Sequence, residues 1–188
     1  AAHLFEHLLC QGATKSYGPG ESFAILRKLG MANAETLPTF THYDYSAPPD
    51  ELKTILKIEG ERLTSLKITP ELISEEADKC HEEAQYVYKF PQSGMVKHAF
   101  MALFQFWNHG ATEVRVRSGV DQIPLDKLES FYRKEYNPDQ LTIVIVGVFK
   151  KDEALALVKE HLGSIPTNRP VDWIMKPKFP NVVSQSSK

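Results

Sequence analysis

Apolar residues recur at helical spacing in some stretches of this chain and alternate with polar ones in others, with glycines and prolines at the switches. The first helix ends near Gly12, and a second short helix spans about Glu21 to Leu29 with Gly30 at its C-terminal end. Alternation then predicts strands at Met31 to Thr36 and Phe40 to Ser46. Pro48-Pro49-Asp50 opens a helix that turns Leu52, Ile55, Leu56 and Leu63 towards the core. Thr69 is placed to cap the next helix, which runs from Pro70 to about Tyr88 with the proline at its first position. Ile73, Ala77, Cys80, Ala84 and Tyr88 share one face of it, and much of the rest is acidic. Met95 to Trp107 predicts a buried or half-buried helix ended by Gly110, its Phe100, Phe104, Phe106 and Trp107 reading as core. A strand near Glu113 to Arg117 and a helix from Leu125 to Tyr136 follow. Leu141 to Val148 lacks alternation and is expected as a strand buried on both faces, before a last helix from Asp152 to Leu162. These elements describe an α+β fold, a mixed sheet packed against several helices. Residues 1–165 form the expected domain, and the proline- and serine-rich residues 166–188 a linker or tail.

The chemistry is concentrated on the first helix. His3-Leu4-Phe5-Glu6-His7 is an H-x-x-E-H sequence. Residues three or four apart share a helical face, so His3 and His7 can offer two imidazole nitrogens to one metal ion. Glu6 projects beside them, where a carboxylate can take a proton from water held by the metal. A catalytic zinc site needs a third protein ligand and one open position. The acidic helix offers Glu75, Glu76, Glu82 and Glu83. At about 100° per residue, Glu76 and Glu83 fall on the flank of its apolar face, while Glu75 and Glu82 point nearly opposite, to water. Glu83 is therefore the expected third ligand, and Glu76, two turns earlier, the expected support behind the ligands. Cys10 and Cys80 lie three positions from a proposed ligand on each helix and read first as small core residues, with a cysteine-containing zinc site as the alternative.

This constellation resembles the pitrilysin/insulinase family of zinc metallopeptidases, to which the mitochondrial processing peptidases are related. His7 and Glu83 enclose residues 8–82, a separation similar to the family's, and Glu76 stands at its accompanying upstream glutamate. Asn33-Ala34-Glu35-Thr36 resembles the family's Asn-Ala-x-Thr segment, followed by Thr41-His42-Tyr43. Phe131 to Pro138 and Val144 to Gly147 resemble its helix-to-strand signature. The resemblance implies one zinc ion per chain, held by His3, His7 and Glu83, and Glu6 as the proton-transferring residue of a metalloendopeptidase. It implies that a peptide substrate adds as a strand along the edge Asn33-Ala34-Glu35-Thr36, with Asn33 and Ala34 binding it. It also implies strands ahead of the motif, so that this chain is a truncated N-terminal catalytic domain, and a homologous second half or partner subunit. The alternative within the fold is an inactive binding or assembly subunit, and outside it a structural zinc protein. An intact motif argues against the first, and a structural site would be closed by four ligands.

A formal charge of −2 gives no footprint for nucleic acid or an anionic membrane surface, so neither is an expected partner. No stretch reaches the roughly 18 apolar residues of a membrane span, and no signal peptide is visible. Two cysteines make no disulfide framework. The bacterial periplasm or the cell exterior is the expected location.

Overall fold

Two apolar stripes on the first helix decide the arrangement of everything else. The computed structural model describes residues 2–37, 39–89, 95 and 123–165. Helix α1 (Ala2–Gln11) buries Leu4, Phe5, Leu8 and Leu9 on one side and Cys10 on another, so it lies inside the fold. Helix α2 (Glu21–Leu29) leads into strand β1 (Met31–Thr36), which pairs antiparallel with β2 (Thr41–Ser46). A 3-10 turn at Pro49–Glu51 opens α3 (Leu52–Thr64), and α4 (Pro70–Lys89) follows. The Thr69 hydroxyl caps α4 by accepting from the backbone N–H of Leu72 at 3.2 Å, as the sequence predicts. Helices α5 (Leu125–Glu135) and α6 (Lys151–Leu162) complete the described part.

One core cluster joins Leu4, Phe5, Leu8 and Leu9 of α1 to Ile73, Ala77 and Cys80 of α4 and Leu128 of α5. Phe5 stacks on Tyr132 at 5.4 Å between ring centroids and meets Tyr136 at 4.7 Å. A second cluster gathers Cys10, Phe23, Leu26, Ala32 and Ile58 between α2, α3 and the hairpin. Helix α6 packs on α3 where Gly60 meets the carbonyl of His161 closely enough that a Cβ would collide with it.

The fold is α+β. Among the described residues its sheet is the β1–β2 hairpin. The buried strand expected at Leu141 to Val148 is a correction: the segment has no strand pairing, and Val144, Val146 and Val148 are 78%, 90% and 88% exposed. A continuous apolar run shows that a segment suits burial, but burial requires a neighbour, and no described strand lies against this one. The expected helix at Met95 to Trp107, the strand at Glu113 to Arg117 and the tail 166–188 lie outside the described residues, Met95 excepted.

Candidate active site

Helix α1 holds His3 and His7 one turn apart, with ring centroids 4.9 Å apart and the rings edge to face. Helix α4 runs alongside. Its Glu83 places Oε2 3.1 Å from Nε2 of His3 and 3.6 Å from Nε2 of His7. The Glu83 side chain is 55% exposed and that of His3 33%, so this point opens to solvent. Glu75 and Glu82 face away, exposed.

Glu76 is buried, and both of its oxygens are satisfied. Oε2 lies 3.0 Å from Nδ1 of His7, and Oε1 accepts from Lys79 Nζ at 2.5 Å. A buried carboxylate without such partners would be costly. With Nδ1 of His7 bonded to Glu76, Nε2 is the nitrogen turned towards the Glu83 carboxylate. An imidazole nitrogen and a carboxylate oxygen 3.6 Å apart can share a cation between them. The chemistry of this set, imidazole nitrogen and carboxylate oxygen, suits zinc.

Glu6 is 7% exposed. Its Oε2 accepts from the Thr36 hydroxyl at 2.5 Å, and Thr36 Oγ1 lies 3.0 Å from Thr41 Oγ1. Cys80 also approaches the histidines, its Sγ within 4.8 Å of a ring nitrogen of each. Burial, then the nearby carboxylates of Glu83 and Glu76, push this thiol up to about 12. It therefore keeps its proton at neutral pH. Cys80 otherwise belongs to the apolar cluster between α1 and α4. Cys10 lies at the far end of α1, where Arg62 Nη2 reaches its sulfur at 3.4 Å.

Arg62 is wholly buried behind α1. Its Nε donates to the carbonyl of Leu9 at 3.0 Å and its Nη1 to the Tyr45 hydroxyl at 2.9 Å, with Glu59 paired to the same nitrogen. This guanidinium ties α1 to β2 and α3, and so fixes the helix that carries the motif. Asn33 and Ala34 lie on opposite faces of β1. Asn33 is exposed opposite Asp44, and Ala34 is half-buried opposite Tyr43. Among the described residues β1 is paired on its β2 side alone.

The sequence model of the insulinase peptidase family, M16, matches residues 1–112, more than half of the chain. The chain belongs to this family. A second model, the peptidase M16 inactive domain, matches residues 122–188. An uncharacterized zinc protease of Mycobacterium leprae is 25% identical over 164 residues, covering 87% of this chain and 37% of the relative. The mitochondrial-processing peptidase subunit beta of Neurospora crassa is 22% identical, over 97% of this chain and 39% of its own length. The first half of the periplasmic protease PqqL from Escherichia coli superposes with a TM-score of 0.69 at 20% identity, over 91% of this chain and 38% of that one. A protease from Helicobacter pylori gives 0.68 at 21% identity, over 94% and 42%. The chain thus spans about two fifths of these relatives or less. M16 relatives named as zinc proteases support a peptidase function in general and zinc as the family's metal. No helix among the described residues is long and apolar enough to cross a membrane.

Sequence reasoning placed Thr36 on the substrate edge without a contact to Glu6, and assigned no role to Thr41, Lys79 or Arg62. Lys79 was within reach of it, standing one turn from Glu76 on the same helix. Arg62 shares the buried face of α3 with Ile58, but its partners Leu9, Cys10 and Tyr45 are remote in sequence.

Proposed function

We propose that this chain is the metal-bearing domain of a zinc-dependent metalloendopeptidase acting on peptides or small unfolded polypeptides. The observation that carries the reading is the convergence of His3 Nε2, His7 Nε2 and Glu83 Oε2 between α1 and α4. His3, His7 and Glu83 hold one zinc ion, and Glu76 orients His7 through Nδ1. Zinc, when bound, supplies Lewis acidity to the scissile carbonyl and to water at its open position. Glu6 accepts a proton at its carboxylate and delivers it to the leaving amine.

Substrate binds as an added strand on the free edge of β1, past Asn33 and Ala34. Main-chain pairing there tolerates many sequences, and neighbouring pockets select among them. Thr36 ends the same strand, about 10 Å along it from Asn33 (three residues at roughly 3.3 Å each), and bonds Glu6. Residues 1–165 form the peptidase domain. Residues 166–188 lead towards a homologous second half, in the same chain or a partner subunit, which closes over the peptide. A periplasmic or secreted bacterial location suits the reading, since a relative of similar fold is titled a periplasmic protease.

The test assays the full-length protein on a mixture of unfolded peptides, with and without a chelator. Cleavage that chelation abolishes and zinc restores is the expected result, and zinc-independent cleavage would refute the reading. No cleavage despite bound zinc would favour the inactive assembly subunit, the state that the inactive-domain match of residues 122–188 brings to mind.

A further inference from the structure

We propose that Thr36, ordered by Thr41, is a positioning residue that fixes which oxygen of Glu6 accepts the proton during peptide hydrolysis. This rests on the peptidase reading above. Thr36 and Thr41 stand directly opposite each other at the closed end of the hairpin, which brings their hydroxyls to 3.0 Å. Each hydroxyl has a single proton to donate. The Thr36 hydroxyl donates its proton to Oε2 of Glu6, 2.5 Å away. Thr41 must then be the donor to Thr36.

Beyond the hairpin end, the Tyr136 and Tyr43 hydroxyls meet at 2.9 Å, and burial pushes both phenols up, Tyr136 to about 12. The Thr41 and Thr36 hydroxyls form a short series that ends on Glu6, and bonds in such a series strengthen one another. A glutamate without this contact turns freely about its last torsion, which has broad, roughly two-fold minima. With Oε2 held, Oε1 is left with no hydrogen-bond partner among the described residues, and it is the oxygen that receives the proton. A β-branched residue at the end of β1 serves the strand equally well without a hydroxyl, so shape alone does not account for the contact.

The experiment compares Thr36→Val, Thr36→Ser and Thr41→Val in the zinc-loaded full-length protein. Thr36→Val should lower kcat by roughly 10- to 100-fold with KM, zinc content and circular dichroism unchanged, and Thr36→Ser should recover most of the loss. Thr41→Val should lower kcat less. An activity-free arm measures unfolding midpoints of metal-free Glu6→Ala, Thr36→Val and the double variant. The double variant should lose less than the two single losses combined. An active wild type with unchanged kcat in Thr36→Val, or additive losses in the metal-free protein, would overturn the proposal while leaving the peptidase reading intact. Loss of zinc or of folding in Thr36→Val with no recovery in Thr36→Ser would also overturn it, because the residue would then be structural. An inert, zinc-loaded wild type would instead refute the peptidase reading, and this role with it.

Discussion

At the scale of single residues, the proposed site separates groups placed to hold a metal from groups placed beside it. Glu83 reaches both histidines, and the exposed Glu82 reaches neither. His7→Ala and Glu83→Gln should each sharply lower bound zinc in elemental analysis, and Glu82→Gln should not; equal losses from the two glutamates would refute the assignment of Glu83. Glu76 bonds Nδ1 of His7, so on the proposed reading Glu76→Gln should weaken zinc affinity by roughly 10- to 100-fold in a competitive chelator titration. Glu6 bonds Thr36 and not the histidines. Glu6→Gln should therefore retain zinc while turnover falls about 10²- to 10⁴-fold, the usual share of general acid–base catalysis.

At the scale of elements, the rigidity of α1 depends on α3 and β2 through Arg62. Arg62→Met would remove the fully buried guanidinium and leave Glu59, whose side chain is 16% exposed, with the Tyr45 hydroxyl but no opposite charge beside it. A loss of about 3 kcal/mol is expected in denaturant unfolding, and a change within error would show the network to be replaceable by apolar packing. Gly60→Ala would force α3 and α6 apart at His161, at a cost of roughly 1–3 kcal/mol in the same measurement. Much at this scale was legible in the sequence. Gly30 and the alternation after it mark β1 within its observed bounds, and Thr69-Pro70 marks the start of α4. Helical phase alone also separated Glu76 and Glu83 from Glu75 and Glu82, because that choice depends on one helix. What escaped depends on residues far apart in the chain. The Thr36–Glu6 contact joins a strand to a helix, Arg62 meets three separate elements, and the exposure of Leu141 to Val148 reflects which neighbours it has. Local periodicity carries none of that information.

At the scale of the whole molecule, the chain corresponds to about two fifths of its relatives. Assayed alone with added zinc, it should cleave a broad peptide mixture poorly or not at all, and adding the remaining half should restore turnover. Brisk, chelator-sensitive cleavage by the chain alone would refute this. The bare valines of 144, 146 and 148 should also make the isolated chain self-associate, and Val146→Lys should reduce light scattering. The meeting of α1 with α4 has one more consequence, which concerns the unfolded chain. An ion gripped by His7 and Glu83 would join two points that enclose residues 8–82, and with them the whole hairpin and α3. Because the unfolded chain lets such an ion go, it stabilises the fold by mass action, about 2.7 kcal/mol at 100 times its Kd. Removing the metal should thus lower stability by an amount set by its concentration. The melting temperature should fall cooperatively across α1, β1, β2 and α3 on chelation, and this dependence should vanish in His7→Ala.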